Sequence, residues 1–174
     1  MLSRRRLSGL GLVEVMISLA VVLVVLGVAL PSLGSWVRDM PVRAAAESLK
    51  SGFELARMEA VRRNARVRFQ IGTDDRLLWK FGCDSGDCPA LLQSAPASET
   101  SGATLVAIAN PPVTPAPGAV LFNGLGQVEI PSGASSIDRI EVTAEGSSRH
   151  LVLQVSLAGM IILCDPAESG AACQ

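Results

Sequence analysis

From Val15 to Leu30 only Ser18 and Gly27 interrupt an otherwise aliphatic or thioether run, and Glu14 is the only charge between Arg6 and Arg38. At about 1.5 Å per residue, the uncharged stretch from Val15 to Val37 that contains this run spans a bilayer core of about 30 Å as a helix. A helix buried in a soluble core keeps a polar stripe, and this segment has none. Arg4, Arg5 and Arg6 precede it, while Arg38, balanced by Asp39, follows it. Positive residues stay cytoplasmic, so the bulk of the chain is expected on the far side of the membrane.

The 174 residues suit one domain plus this appendage. Charge is unevenly placed. Residues 38–68 hold eight basic against four acidic side chains, and residues 69–174 hold four against eleven, a net of −7. A face of that sign does not by itself attract a polyanion. The cysteines fall as two close pairs, Cys83 with Cys88 and Cys164 with Cys173. Two local disulfides fit the oxidising side of a membrane. The alternative, a four-thiolate zinc site, is poorly served by four and eight intervening residues.

Beyond the apolar run, Pro31 and Gly34 mark a bend rather than a stop. Val42, Ala45, Ala46, Leu49, Phe53, Ala56 and Ala60 then recur at three- and four-residue steps, giving a second helical stretch one apolar face. Arg62 and Arg63 close it where the helix dipole favours cations. From Ala65 the period becomes two: Val67, Phe69 and Ile71 alternate with Arg66, Arg68 and Gln70. Gly72 to Asp75 reads as a turn and Arg76 to Phe81 as a second strand. Further strands are expected at 104–109, 119–122, 127–130, 137–143, 151–156 and 160–164. Loops are expected at 94–102 and 110–118, the latter barred from ladders by four prolines. Asn123-Gly124 signals a hairpin. The expected fold is α+β: a long N-terminal helix packed on an antiparallel, sandwich-like head.

The residues ahead of the apolar run carry the functional signal. Arg4-Arg5-Arg6-Leu7-Ser8-Gly9-Leu10 is followed by Glu14, and no small-residue cleavage site follows Leu30. This pattern resembles the class III signal of type IV prepilins. The resemblance implies that a prepilin leader peptidase cuts between Gly9 and Leu10 and methylates the Leu10 amine. Leu10 stands where that family usually has phenylalanine. Glu14 takes the place of the family's glutamate at the fifth mature position, and Pro31 that of its helix-bending proline. A carboxylate in an apolar helix costs at least about 2–3 kcal/mol in lipid without a partner. A neighbouring subunit's N-terminal amine could supply one; the alternative is a glutamate that snorkels to the headgroups.

Arg43-Ala44-Ala45-Ala46-Glu47-Ser48-Leu49 and Leu55 to Asn64 further resemble the GspH/FimT family of minor pilins and pseudopilins. The ending Leu163-Cys164-Asp165-Pro166 with Cys173 is similar to that of FimT-like members. The resemblance implies the domains 1–9 leader, 10–37 transmembrane helix, 38–64 amphipathic continuation and 65–174 periplasmic β-rich head. It implies assembly of a type IV pilus with other minor and major pilin subunits, anchored in the inner membrane. A type II secretion pseudopilin is the first alternative.

DNA capture is the second alternative, since some FimT-like pilins bind it. Their late Gly-Arg-x-Arg motif is here Gly159-Met160-Ile161-Ile162, so both arginines are missing. The arginines from Arg57 to Arg68 otherwise read as a helix end and the solvent face of a strand. His150, the sole histidine, has no acid–nucleophile set near it in sequence. Gly124-Leu125-Gly126 lacks a dinucleotide loop's third glycine. No cofactor, no metal site and no enzymatic activity are expected.

Overall fold

The computed structural model describes residues 11–74, 76–86, 88–100, 102–109, 117–132 and 134–169, with the side chains of 28–33, 35, 73, 74, 99 and 169 outside that description. The chain divides into two compact units, Met1–Val37 and Arg38–Gln174. Helix α1 (Leu12–Arg63) begins in the first unit and ends in the second.

In the first unit α1 exposes its described apolar residues on all sides: Leu12, Ile17, Leu23 and Val25 are each between 59% and 77% accessible. Ser18 Oγ donates to the Glu14 carbonyl at 2.7 Å, so the one hydroxyl of the run is satisfied inside the helix. Among the described residues no helical stretch is long and apolar enough to cross a membrane. The apolar run of the sequence continues into residues 28–33, whose side chains lie outside that set. The kink expected at Pro31 falls there too.

Among its described residues the second unit holds the rest of α1 and nine strands. Val42, Ala45, Ala46, Leu49, Phe53, Ala56 and Ala60 are all fully buried. Their 3.6-residue spacing forms one stripe, the face this stretch of α1 turns to the core. The helix ends in a Schellman motif. Asn64 takes a left-handed φ of 47°, its N–H bonds Val61 O, and the Ala65 N–H bonds Ala60 O.

One sheet has the order β3-β2-β1-β5-β6, from β1 (Val67–Asp74), β2 (Leu77–Cys83), β3 (Gln93–Pro96), β5 (Ala119–Phe122) and β6 (Val128–Glu129). The other has the order β4-β7-β8-β9, from β4 (Ala103–Ala109), β7 (Ile137–Ala144), β8 (Leu151–Val155) and β9 (Ile161–Cys164). Every pairing is antiparallel. The α+β architecture read from the sequence is therefore the one observed.

A single core joins α1 to both sheets. Phe53 stacks on Phe69 with ring centroids 3.9 Å apart, and Phe69 on Trp79 at 5.6 Å. Gly52 makes room for this stack, because a Cβ there would lie 2.7 Å from Trp79 Cε2. The Trp79 indole N–H reaches Ser48 Oγ at 3.0 Å, satisfying the one polar atom of the cluster.

Two local expectations need correcting, and a third is met in detail. The segment expected as loop 94–102 contains β3 and a 3-10 turn, Ala97–Thr100. An edge strand needs only backbone pairing with β2, so its pattern carries one buried side chain, Ala95, and tolerates Pro96 at its end. The turn expected at Gly72–Asp75 is partly strand, since β1 runs to Asp74 with a register break after Ile71. The hairpin at Asn123 closes through Asn123 Oδ1, which accepts from the N–H groups of Leu125 and Gln127 at 3.0 Å. The expected hairpin thus joins β5 to β6, with a positive φ at Gly126.

Candidate functional site

Glu14 occupies the first turn of α1, whose earliest N–H bonds run from Glu14 and Val15 to Gly11 O at 2.9 and 3.2 Å. The positive end of a helix dipole favours a carboxylate in that turn. The Glu14 side chain is exposed and surrounded in sequence by exposed apolar residues. Gly9 and Leu10, the expected processing site, lie outside the described residues.

Cys83 and Cys88 form a disulfide, with Cα atoms 5.6 Å apart. The loop it closes is held further by the bond from Cys83 N to Pro89 O at 2.9 Å. Gly82 allows this, because a Cβ there would collide with the Ala90 carbonyl. Cys164 is also disulfide-bonded, while Cys173 lies outside the described residues. Replacing both Cys83 and Cys88 with Ser should lower the stability of the second unit by about 2 kcal/mol, the entropic value for so short a loop. Urea unfolding of the oxidised wild type and the double variant measures it, and superimposable curves would show the bridge to be inert.

The arginines from Arg57 to Arg68 are brought together in sequence but separately engaged in space. Arg57 Nε donates to Gly126 O at 3.0 Å. Arg62 and Arg63 both clamp Glu59, at 2.6 and 2.7 Å. The hydrogen bonds from Arg62, then from Arg63, hold the Glu59 carboxyl below its ordinary range. Arg66 pairs with Glu129 at 3.4 Å, and Arg68 Nε with Asp84 at 2.6 Å. A phosphate backbone would have to compete with these partners.

His150 sits 3.7 Å from Glu141. Nearby, Arg149 lies 3.7 Å from Asp165 and 3.8 Å from Glu168. Among the described residues no group of three or more His, Cys, Asp or Glu is placed to hold a metal ion. What sequence reading missed is the convergence of α1 with the loops at 123–127 and 156–160. Its signals are two glycines, Gly126 and Gly159, whose roles depend on neighbours far away in sequence.

A sequence profile of the family described as type II transport protein GspH matches residues 45–159, from the second stretch of α1 to the β8–β9 turn. The fold is similar to that of the type IV minor pilin FimU of Pseudomonas aeruginosa (strain PAO1), at 24% identity, with 76% of this chain and 95% of that chain covered and a TM-score of 0.53. It is also similar to the minor pseudopilin EpsH from the Type 2 Secretion System of Vibrio cholerae, at 16% identity, with coverage of 73% and 98% and a TM-score of 0.52. No curated protein matches the chain. The profile match takes in most of the chain, and the chain belongs to the GspH family of type II transport proteins.

Proposed function

We propose that this chain is a minor, non-enzymatic subunit of a type IV pilus, inserted in the inner membrane by α1 and built into the filament's initiating or tip complex. The observation that carries this reading is the apolar first unit of α1, exposed on every described side, with Glu14 in its first turn. So much exposed apolar surface needs lipid or neighbouring helices around it. In the proposed organisation, residues 1–9 are the leader and 10–37 cross the membrane. Residues 38–64 continue the helix, and 65–174 form the periplasmic head. Trp36, 58% exposed near the end of the apolar run, suits a headgroup boundary. Pro31 bends the membrane helix, and Cys164 pairs with Cys173. A prepilin peptidase and the other pilin-type subunits are the partners. The fold likeness to FimU supports the pilus assignment.

A pseudopilin of type II secretion is the second reading, favoured by the family's own description and by the fold likeness to EpsH. DNA capture has less support, because Arg62, Arg63, Arg66 and Arg68 each have an acidic partner. Deleting the gene separates the first two readings by which fails, pilus assembly or protein secretion.

Processing tests the class itself. The mature protein is expected to begin with N-methyl-leucine at Leu10, read by intact mass or N-terminal sequencing. Replacing Gly9 with a larger residue should leave the leader attached. A mature start beyond Leu30 would identify an ordinary secretory signal and overturn the assignment.

A further inference from the structure

Two hairpin loops, 123–127 and 156–160, are pinned against the last turns of α1. Besides the Arg57–Gly126 bond, Val128 N donates to Leu157 O at 3.0 Å. Gly126 and Gly159 have φ of 75° and 78°. A Cβ on Gly126 would lie 2.9 Å from Val61 Cγ2, and one on Gly159 would run into the Gly126 carbonyl. The backbones are therefore fixed in close contact, yet the large side chains around them face solvent. Leu125 is 75% exposed, Leu157 64%, Met58 58%, Met160 55% and Val61 50%. Neither loop carries a charged residue. A groove of about 530 Å³ runs alongside, lined by Glu54, Arg57, Met58, Val61 and Arg62.

We propose that this pole docks the head of another pilin-type subunit through an apolar surface edged with carboxylates. The inference rests on the filament-subunit reading and names the surface that reading requires. Contiguous exposed apolar side chains on a well-ordered framework mark an interaction site, and a framework already held in place loses little freedom on docking. Charge selects the occupant. Residues 38–68 carry eight basic against four acidic side chains, whereas 69–174 carry a net of −7. A subunit with the same polarity presents carboxylates from its β head to this basic stretch. Nucleic acid is the poorer fit, since neither loop offers a cation to a phosphate and residues 69–174, which carry both loops, are net negative.

The test uses the full-length chain in membranes of its own host. Pilin-type subunits that co-purify are quantified by mass spectrometry and recognised by a leader glycine five residues before a glutamate. Leu125→Lys combined with Leu157→Lys, both at exposed loop positions, should reduce their recovery at least tenfold. Membrane insertion and leader cleavage should be unchanged. Val106→Lys, at a 48% exposed position on β4, should leave recovery intact. Undiminished recovery with the loop variant overturns the proposal. If Glu14→Val loses the subunits while the loop variant keeps them, the filament reading stands and this docking surface does not. If the wild type recovers no pilin-type subunit, both fall. Retention of duplex DNA that the loop variant abolishes, with subunits still recovered, would reassign the surface to nucleic acid.

Discussion

Phe53→Ala is expected to destabilise the second unit by about 3–5 kcal/mol, the usual loss for truncating a buried phenylalanine. The ring is fully buried. It stacks on Phe69 at 3.9 Å and meets the edge of Phe122 at 6.3 Å, so it touches two strands of one sheet from the helix. Gly52, beside it, has no side chain that could swing in to fill the gap. Both the transfer and the cavity contributions should therefore appear in full. The comparison is Phe53→Leu, which keeps most of the volume and should cost less than about 1.5 kcal/mol. Denaturant unfolding of the full chain in detergent, followed by near-ultraviolet circular dichroism of the buried Trp79, measures both. A loss below about 1 kcal/mol for the alanine variant would mean that α1 is not clamped to the sheet through this ring.

That experiment probes the part of the fold that was most legible in the sequence. The apolar stripe from Val42 to Ala60 was readable because a long helix repeats its period often enough to be unambiguous. The alternation at Val67 and Phe69 was readable for the same reason, since both are fully buried while Arg68 is outward. What could not be read is set by partners distant in sequence. Gly52 looks like a weak helix residue until Trp79 is seen lying against it. β3 has one buried side chain, so backbone pairing to β2 defines it and no pattern announces it. Pro41 is similar. It lies inside α1 and has no N–H to give the Val37 carbonyl, where the boundary between the two compact units falls. The candidate site divides along the same line. The proposed processing glycine, the glutamate and the apolar run lie close together in sequence, so a sequence pattern suffices to propose them. The apolar pole assembled from α1 and two hairpin loops was not, because its members are separated by up to 102 positions, from Met58 to Met160.

Glu14→Val is expected to leave membrane insertion and leader cleavage intact while reducing incorporation into the filament complex at least tenfold. A carboxylate within an apolar helix costs about 2–3 kcal/mol in lipid, so valine makes the isolated helix more comfortable there. The first turn of α1 offsets part of that cost through the helix dipole, but the effect is worth only about 0.3–1 kcal/mol. Nothing within the described residues pairs with the Glu14 side chain. On the proposed reading, a neighbouring subunit's Leu10-type N-terminal amine pairs with it as the helices stack, and that pairing exists only in the assembly. A glutamate that merely snorkels to the headgroups predicts the opposite pattern, with no loss of assembly. Recovery of partner subunits from membranes, wild type against variant, distinguishes the two. The head's own contacts could sustain some association, so the comparison is sharpest in the Leu125→Lys, Leu157→Lys background, where the membrane helices remain the main route to assembly. Equal recovery with and without Glu14 in that background would remove the salt bridge from the mechanism. A loss that Glu14→Asp fails to restore would show that reach, and not charge alone, sets the pairing: the aspartate keeps the charge but ends one methylene short.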